Sequence, residues 1–271
     1  MNLGIHGKVA LITGGTRGIG LATAVELAAE GCHVAICGIS NDGLDAAIDR
    51  IKEASALGEA PVTHIGDVSA PEAAEAFVDA AVAAFGTVHI LINNAGIIGN
   101  NGSFEDVSLD DWAATLDANL YTTVSVTKAA LPHMKRQKWG RIVNVGSESG
   151  TQPDPFMPQY NVAKAAVMNL AKSWSKAYVK DGILVNAVAP AAILTPMVEP
   201  FLRAQSEAKG IDMKTAEREF LMEARPNILL ERFGRPEEVA AAIAFLVSER
   251  ASFINGASLR IDGGSVASVA H

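Results

Sequence analysis

Tyr160 and Lys164 stand four residues apart in Tyr160-Asn161-Val162-Ala163-Lys164, at the head of a helical pattern that continues through Ala171. Residues at this spacing share one helix face, so the phenol and the ammonium are expected to be neighbours. A nearby cation favours phenolate and lowers a tyrosine pKa from its ordinary value of about 10 towards neutrality. Such a group can pass a proton near pH 7. On its own the pair is common by chance and reads as an ordinary helix face. Its surroundings change that. Ser147 comes thirteen residues earlier, at the end of the apolar run Ile142 to Val145 and ahead of Glu148-Ser149-Gly150. Ligands of parallel sheets gather outside the carboxyl ends of strands. A serine there can hydrogen-bond a substrate oxygen; standing alone it would be a turn serine.

A second constellation, Thr13-Gly14-Gly15-Thr16-Arg17-Gly18-Ile19-Gly20, lies between the first apolar run and the first helical pattern. Glycines allow a tight turn, close approach of backbone to a pyrophosphate, and packing of helix on sheet. The helix start then offers unpaired N–H groups and a partial positive charge to phosphates. The spacing, Gly14-x3-Gly18-x-Gly20, is not the literal G-x-G-x-x-G of dinucleotide sites. Gly14, Thr16, Arg17, Gly18 and Ile19 are the candidate contacts in this turn. A site selective for NAD usually carries an acid at the end of the second strand, to hold the ribose 2′-hydroxyl. Here that stretch reads Cys37-Gly38-Ile39-Ser40, with no carboxylate until Asp42. Ser40 is the candidate contact there, and Arg17 can reach a 2′-phosphate through two hydrogen bonds. NADP is therefore expected in preference to NAD.

The elements that must position these residues alternate. Val9-Ala10-Leu11-Ile12, His33 to Cys37, Val62 to Ile65, Ile90-Leu91-Ile92 and Arg141 to Val145 read as strands. Between them run helical patterns: Leu21 to Glu30 with Gly31 after it, a stretch to about Ala56, Pro71 to Phe85, and a long region around Trp112 to Met134. The strands are short, continuous and β-branched, as strands are when helices cover both faces. Repeated strand–helix units imply a parallel sheet with right-handed crossovers. The expected fold is α/β, a doubly wound, Rossmann-like parallel sheet forming a single domain over 1–271. One stretch breaks the rhythm: between Thr195 and Gly234 there is no strand pattern, but helix-like segments span Met197 to Lys209 and Met213 to Glu223. After a helix opened by Pro236, Ser258 to Ile261 and the turn Asp262-Gly263-Gly264 close the pattern.

Composition narrows the function. Apolar residues make up 49% and charged residues 19% of 271, which suits a packed core rather than a disordered chain. A net charge of −8 argues against nucleic acid, whose phosphates call for a basic face. Two cysteines and six scattered histidines give neither a disulfide framework nor a metal spacing. The first residues lack the basic and apolar regions of a signal peptide, and no uncharged apolar run reaches the roughly 18 residues of a membrane span. A cytoplasmic enzyme with no metal and no membrane partner is expected.

Together these motifs resemble the short-chain dehydrogenase/reductase family, and its bacterial 3-oxoacyl-thioester reductases are similar along nearly the whole chain. The resemblance rests on Thr13-Gly14-x-x-x-Gly18-Ile19-Gly20, Asp67-Val68, Asn93-Asn94-Ala95-Gly96, Asn119, Ser147, Tyr160-x-x-x-Lys164, Pro190 with Thr195, and Asp262-Gly263-Gly264. It implies a hydride transfer between NADP(H) and a ketone or secondary alcohol, with Tyr160 exchanging the proton and Ser147 orienting the substrate oxygen. Lys164 would hold the nicotinamide ribose, and Asn119 would position a water linking Lys164 to solvent. Asp67 and Val68 would meet the adenine, Asn94 the adenosine side of the cleft, and Ile193 and Thr195 the nicotinamide amide. A homotetramer is the implied assembly. Two positions depart from the family pattern: Ala191 replaces the glycine usual after the proline at Pro190, and no second basic residue stands at Ile39 or Ser40.

In the resembling fold, the segment around 195–228 is a helical lid over the substrate. Met197, Phe201 and Leu202 are its candidates to close over substrate. Phe156 and Met157, with Ile97 and Ile98, are candidates for the facing wall. The expected pocket is mainly apolar with no anion clamp. Two other classes compete: a catalytically silent cofactor-binding regulator, and an epimerase or dehydratase that retains NAD. The intact set of four argues against the first. A different glycine spacing and a larger C-terminal domain in the usual epimerases argue against the second. A methyltransferase on a similar sheet would leave Tyr160 and Lys164 unexplained.

Overall fold

The computed structural model describes residues 2–269, so Met1, Ala270 and His271 of the 1–271 domain lie outside the described residues. The first half runs β1 (Val9–Thr13), α1 (Gly18–Ala29), β2 (His33–Gly38), α2 (Leu44–Ala54), β3 (Val62–Ile65), α3 (Pro71–Phe85) and β4 (Ile90–Asn93). Then come α4 (Leu109–Leu116), a π-helical turn at Asp117–Tyr121, α5 (Thr122–Gln137), β5 (Gly140–Val145), α6 (Pro158–Tyr178) and β6 (Ile183–Pro190). The chain closes with α7 (Glu199–Lys209), α8 (Met213–Ala224), α9 (Pro236–Val247) and β7 (Ser258–Ile261).

The seven strands form one sheet in the order β3-β2-β1-β4-β5-β6-β7, with every pair parallel. The order reverses between β1 and β4, the switch point where a doubly wound sheet leaves a crevice. Successive residues of β1 explain its unbroken apolar run: Ala10 and Ile12 face α1, α2 and α9, while Val9 and Leu11 face α3 and α5. Both sides are core, so no polar alternation is possible.

Strand β6 is the element that the sequence pattern did not single out. Asn186 interrupts its apolar run, yet is buried, donating to the Ile254 carbonyl at 2.9 Å and accepting from Ala257 N–H at 3.0 Å. The long helix also starts earlier than the Trp112 expected. Ser108 caps it, accepting from the Asp111 N–H at 3.1 Å while the Asp111 carboxylate accepts in return, a capping box. The helical path then carries an extra residue through its π turn, a form common at functional sites.

The segment without strands is an excursion pinched at its base. Ile193 and Gly234 form an isolated parallel bridge, and Leu194 N–H donates to the Gly234 carbonyl at 2.9 Å. Beyond it Leu202 of α7 and Leu221 of α8 form a buried cluster with Ile228 and Phe233 from the segment that follows. No helix among the described residues is long and apolar enough to cross a membrane.

Candidate active site

The glycine turn after β1 is shaped by contact. Gly14 has φ +63°, and a Cβ at Gly20 would lie 2.9 Å from the Gly14 carbonyl carbon and nearer still to its oxygen. The turn is pinned from β4: Thr13 Oγ1 accepts from the N–H groups of Asn94 and Ala95, both at 2.9 Å. Asn94 Nδ2 donates to the carbonyls of Thr13 at 2.9 Å and Gly14 at 3.1 Å. Asn94 therefore borders the cleft with its amide nitrogen committed to the turn, which limits the adenosine contact expected of it. Deeper in, Asn93 Nδ2 donates to Thr127 Oγ1 at 3.0 Å and Asn144 Oδ1 at 2.9 Å. These side-chain bonds hold the ends of β4 and β5 together below the cleft.

Every candidate catalytic and cofactor-binding residue named from the sequence lines a single cleft of about 660 Å³ along the carboxyl edge of the sheet. That volume falls within the range of small-molecule and cofactor sites. Its lining includes Gly14, Thr16, Arg17, Gly18, Ile19, Ser40, Asp67, Val68 and Asn94, and also Asn119, Ser147, Tyr160, Lys164, Ile193 and Thr195; Thr195 reaches back to the glycine turn, where a Cβ at Gly18 would lie 3.4 Å from its Cγ2. Two features fit a dinucleotide. The start of α1 has no side-chain cap and no acid in its first turn, which leaves its N–H groups for an anion. Arg17 is exposed, and among the described residues its guanidinium has no ion pair. Asp42, passed over in the sequence, also lines the cleft, and the Ser40 hydroxyl donates to it at 3.0 Å. Among the described residues no group of three His, Cys, Asp or Glu is arranged to hold a metal.

At the reacting end, Ser147 follows β5 and its Oγ accepts from Ser149 N–H at 3.2 Å. The Ser147 hydroxyl also hydrogen-bonds the phenol of Tyr160. Helix α6, opened by Pro158 in its first turn, carries Tyr160 and Lys164 on one face. Lys164 Nζ donates to the Val145 carbonyl at 3.0 Å and lies 5.6 Å from the centre of the Tyr160 ring. Asn119 sits in the π turn. Its Nδ2 donates to the carbonyls of Ile97 and Thr115, both at 2.8 Å, and its Oδ1 is buried without a partner. Gly96 brings two of these groups together: a Cβ there would lie 3.3 Å from Lys164 Nζ and would collide with Asn119 Oδ1. The orphan oxygen and the ammonium thus face the same space, which suits a bridging water.

Electrostatics correct one expectation. Burial pushes the Tyr160 phenol above its ordinary pKa; the bond to Ser147 and the charge of Arg225 pull it down, and Glu148 pushes it up. Lys164 does not make a preformed phenolate here. Burial instead lowers the lysine itself to about 8. Below that pH the site holds a phenol beside an ammonium.

The expected apolar wall is also revised. Ile97, Ile98, Met157 and Met197 line the cleft, and Phe220 and Phe233 join them from the excursion. Leu202 is buried in the excursion's own cluster, Phe201 sits edge-on to Phe220 but outside the cleft, and Phe156 is exposed. Nor is the pocket free of cations. Arg225, just past α8, lines it; Nη1 donates to Asp154 Oδ2 at 2.8 Å and Nε faces Glu148 Oε1 at 3.5 Å. Nothing in the sequence around Arg225 separates it from the other charged residues of α8.

Residues 14–266 match a family model described as Enoyl-(Acyl carrier protein) reductase. The 3-oxoacyl-[acyl-carrier-protein] reductase FabG of Thermotoga maritima is 36% identical over 262 residues, which cover 97% of this chain and 99% of that protein. The crystal structure of L-sorbose reductase from Gluconobacter frateurii, complexed with NADPH and L-sorbose, superposes with a TM-score of 0.92 at 34% identity, covering 99% of this chain and 100% of that one. An NAD+-bound xylitol dehydrogenase superposes with a TM-score of 0.85 at 31% identity, covering 96% and 99%.

Proposed function

The chain belongs to the short-chain dehydrogenase/reductase family of NAD(P)-dependent oxidoreductases, and from that premise we propose an NADP(H)-preferring enzyme acting on a ketone or secondary alcohol through Ser147, Tyr160, Lys164 and Asn119. The observation that carries this reading is the convergence of the four on one corner of a cleft that the glycine turn also lines.

A nicotinamide bound in this cleft would supply or accept the hydride. The chain's own residues handle the oxygen and its proton. In reduction, Ser147 Oγ donates to the carbonyl oxygen, and the Tyr160 hydroxyl, held protonated by burial, gives that oxygen its proton. The phenolate left behind is stabilised by the Lys164 ammonium, and its proton is restored through a water held by Asn119 Oδ1. In oxidation the same groups run in reverse. Lys164 would also hold the nicotinamide ribose, Ile193 and Thr195 the carboxamide, and Asp67 and Val68 the adenine. Excursion residues 195–228 serve as the lid, with Met197 and Phe220 over the substrate.

Arg17 supports NADP(H), as a free guanidinium at the adenosine end. Asp42 in the same wall supports the second reading, a carboxylate accepting from the ribose 2′-hydroxyl of NAD. The open β7 edge, with Leu259 and Phe253 exposed beside it, supports assembly of copies, and we infer a cytoplasmic homotetramer.

The test is a screen of ketones, aldehydes and secondary alcohols by absorbance at 340 nm with both cofactors. Tyr160→Phe should abolish turnover while leaving cofactor binding intact. Undiminished turnover in that variant would return the chain to a cofactor-binding regulator.

A further inference from the structure

An arginine in a substrate cleft ordinarily marks a carboxylate or phosphate to be bound, because the guanidinium fork matches those anions. Two arginines line this cleft. Arg17 stands at the glycine turn, and Arg225 stands near enough to Tyr160 to bias its ionisation. Arg225 is already engaged. Its Nη1 donates to Asp154 Oδ2 at 2.8 Å and to the Ala224 carbonyl at 2.6 Å, and its Nε faces Glu148 Oε1 at 3.5 Å.

Neither carboxylate is free to leave. Glu148 follows Ser147 directly, and its side chain is only 5% exposed. Asp154 is fixed in the turn ahead of α6. Its Oδ1 accepts from Phe156 N–H at 2.9 Å, and its carbonyl accepts from Asn161 Nδ2 at 2.6 Å. Asp262 adds a third negative charge acting on Glu148, against the single cation of Arg225. Lys164, the other nearby cation, is bonded to the Val145 carbonyl. An anionic group entering this corner would have to displace Asp154 and then face Glu148. An uncharged group meets no such opposition, and the rest of the wall (Met157, Met197, Phe220, Phe233) is apolar.

We propose that Asp154 and Glu148 are specificity-determining residues: by engaging Arg225 they restrict the cleft to uncharged carbonyl and alcohol substrates and turn away keto acids. This rests on the oxidoreductase reading above and adds the charge class of its substrate. It is selection by an opposing charge rather than by an added contact.

Phenylglyoxylate and its methyl ester carry the same ketone with and without a charge, so they serve as the matched probes. The wild type should favour the ester in kcat/KM by at least about tenfold. Asp154→Asn should cut that ratio by about tenfold by freeing Arg225, and Asp154→Asn/Arg225→Met should restore it. Thermal melts confirm that each variant folds. Calorimetric binding of both probes to the NADPH-loaded protein gives a second readout of the same ratio. Binding without turnover would count against the oxidoreductase reading alone. The charge selection is overturned if the wild type handles acid and ester equally, if it does not bind the ester, or if Asp154→Asn leaves the ratio unmoved.

Discussion

Replacing Gly96 by alanine tests whether Asn119 and Lys164 are set by direct contact with the turn after β4. The new Cβ would lie 3.1 Å from Asn119 Cγ and 3.3 Å from Lys164 Nζ, and would overlap Asn119 Oδ1. Ordinary carbon contacts lie at ~3.5–4.0 Å. Asn119 has little room to yield, because its Nδ2 is held at 2.8 Å by two backbone carbonyls and the residue is only 1% exposed. Relief requires a shift on the order of 1 Å in one of the two side chains, a displacement that costs about 10²-fold in rate when it reaches catalytic groups. Overpacking of this kind costs about 1–3 kcal/mol, or roughly 2–12 °C in Tm for a domain of this size. The assay is kcat at saturating cofactor and substrate, with a thermal melt of the same sample. Asn119→Ala in the Gly96→Ala background removes the colliding oxygen. It should recover stability relative to the sum of the single changes, with a coupling of about 0.5–3 kcal/mol, but not activity. Near-normal kcat in Gly96→Ala, or additive losses of stability in the pair, would refute the contact.

The pH profile follows from the lysine. Tyr160 is pushed up and stays protonated through neutrality, whereas Lys164 loses its proton at about 8. Reductive kcat/KM should therefore fall as pH rises through about 8, and Lys164→Met should flatten that limb along with lowering the rate; a wild-type profile level from pH 7 to 9.5 would contradict this. Arg17→Ala should raise the Kd for NADPH by about 10- to 100-fold, the worth of charge-assisted hydrogen bonds, and leave that for NADH nearly unchanged. Equal effects on both cofactors would remove the 2′-phosphate from its role. Asn94→Ala should cost about 1–3 kcal/mol in stability, read from a denaturant midpoint, since it strips two hydrogen bonds from the turn carbonyls. Asn94→Asp should be no milder, because a carboxylate cannot donate to either carbonyl.

The parts of this molecule that were legible in the sequence are those where local chemistry decides. Strands such as Val9–Thr13 are apolar on both faces because helices cover both, and Pro71 and Pro236 mark helix starts. Tyr160 and Lys164 were legible because a helix converts a spacing of four into adjacency. What escaped is set by distant partners. Asn186 hides β6 because its polar group is satisfied by Ile254 and Ala257, far along the chain. Arg225 reaches the cleft only because α8 folds back on the excursion's own core and ends beside the turn holding Asp154, 71 residues away in sequence. Leu202, placed over the substrate by its position after Pro190, turns inward for the same reason. The pKa of Tyr160 is not legible in the sequence because spacing reports which charge is near, while burial, the largest influence here, is a property of the folded cleft.

The neutral phenol bears on how the site works. A phenolate already present in the free protein would interact with Lys164 before any substrate arrived, and the interaction would contribute nothing specific to the reacting state. With the phenol held neutral and the lysine lowered to about 8, the two groups below that pH are an uncharged hydroxyl and a cation that has no ion pair among the described residues and donates to the Val145 carbonyl. Their attraction appears only as the proton leaves Tyr160 for the substrate oxygen. The cation therefore stabilises the transition state more than the ground state, and burial strengthens that difference by keeping water from screening it. The same arrangement loads the acid for reduction at neutral pH and leaves oxidation to wait on the rarer phenolate. The backbone carbonyls of Ile97, Thr115 and Val145, which fix Asn119 and Lys164 without adding a negative charge, make this polarity possible. A carboxylate in any of their places would pair with the ammonium in advance and abolish the difference on which the proton transfer relies.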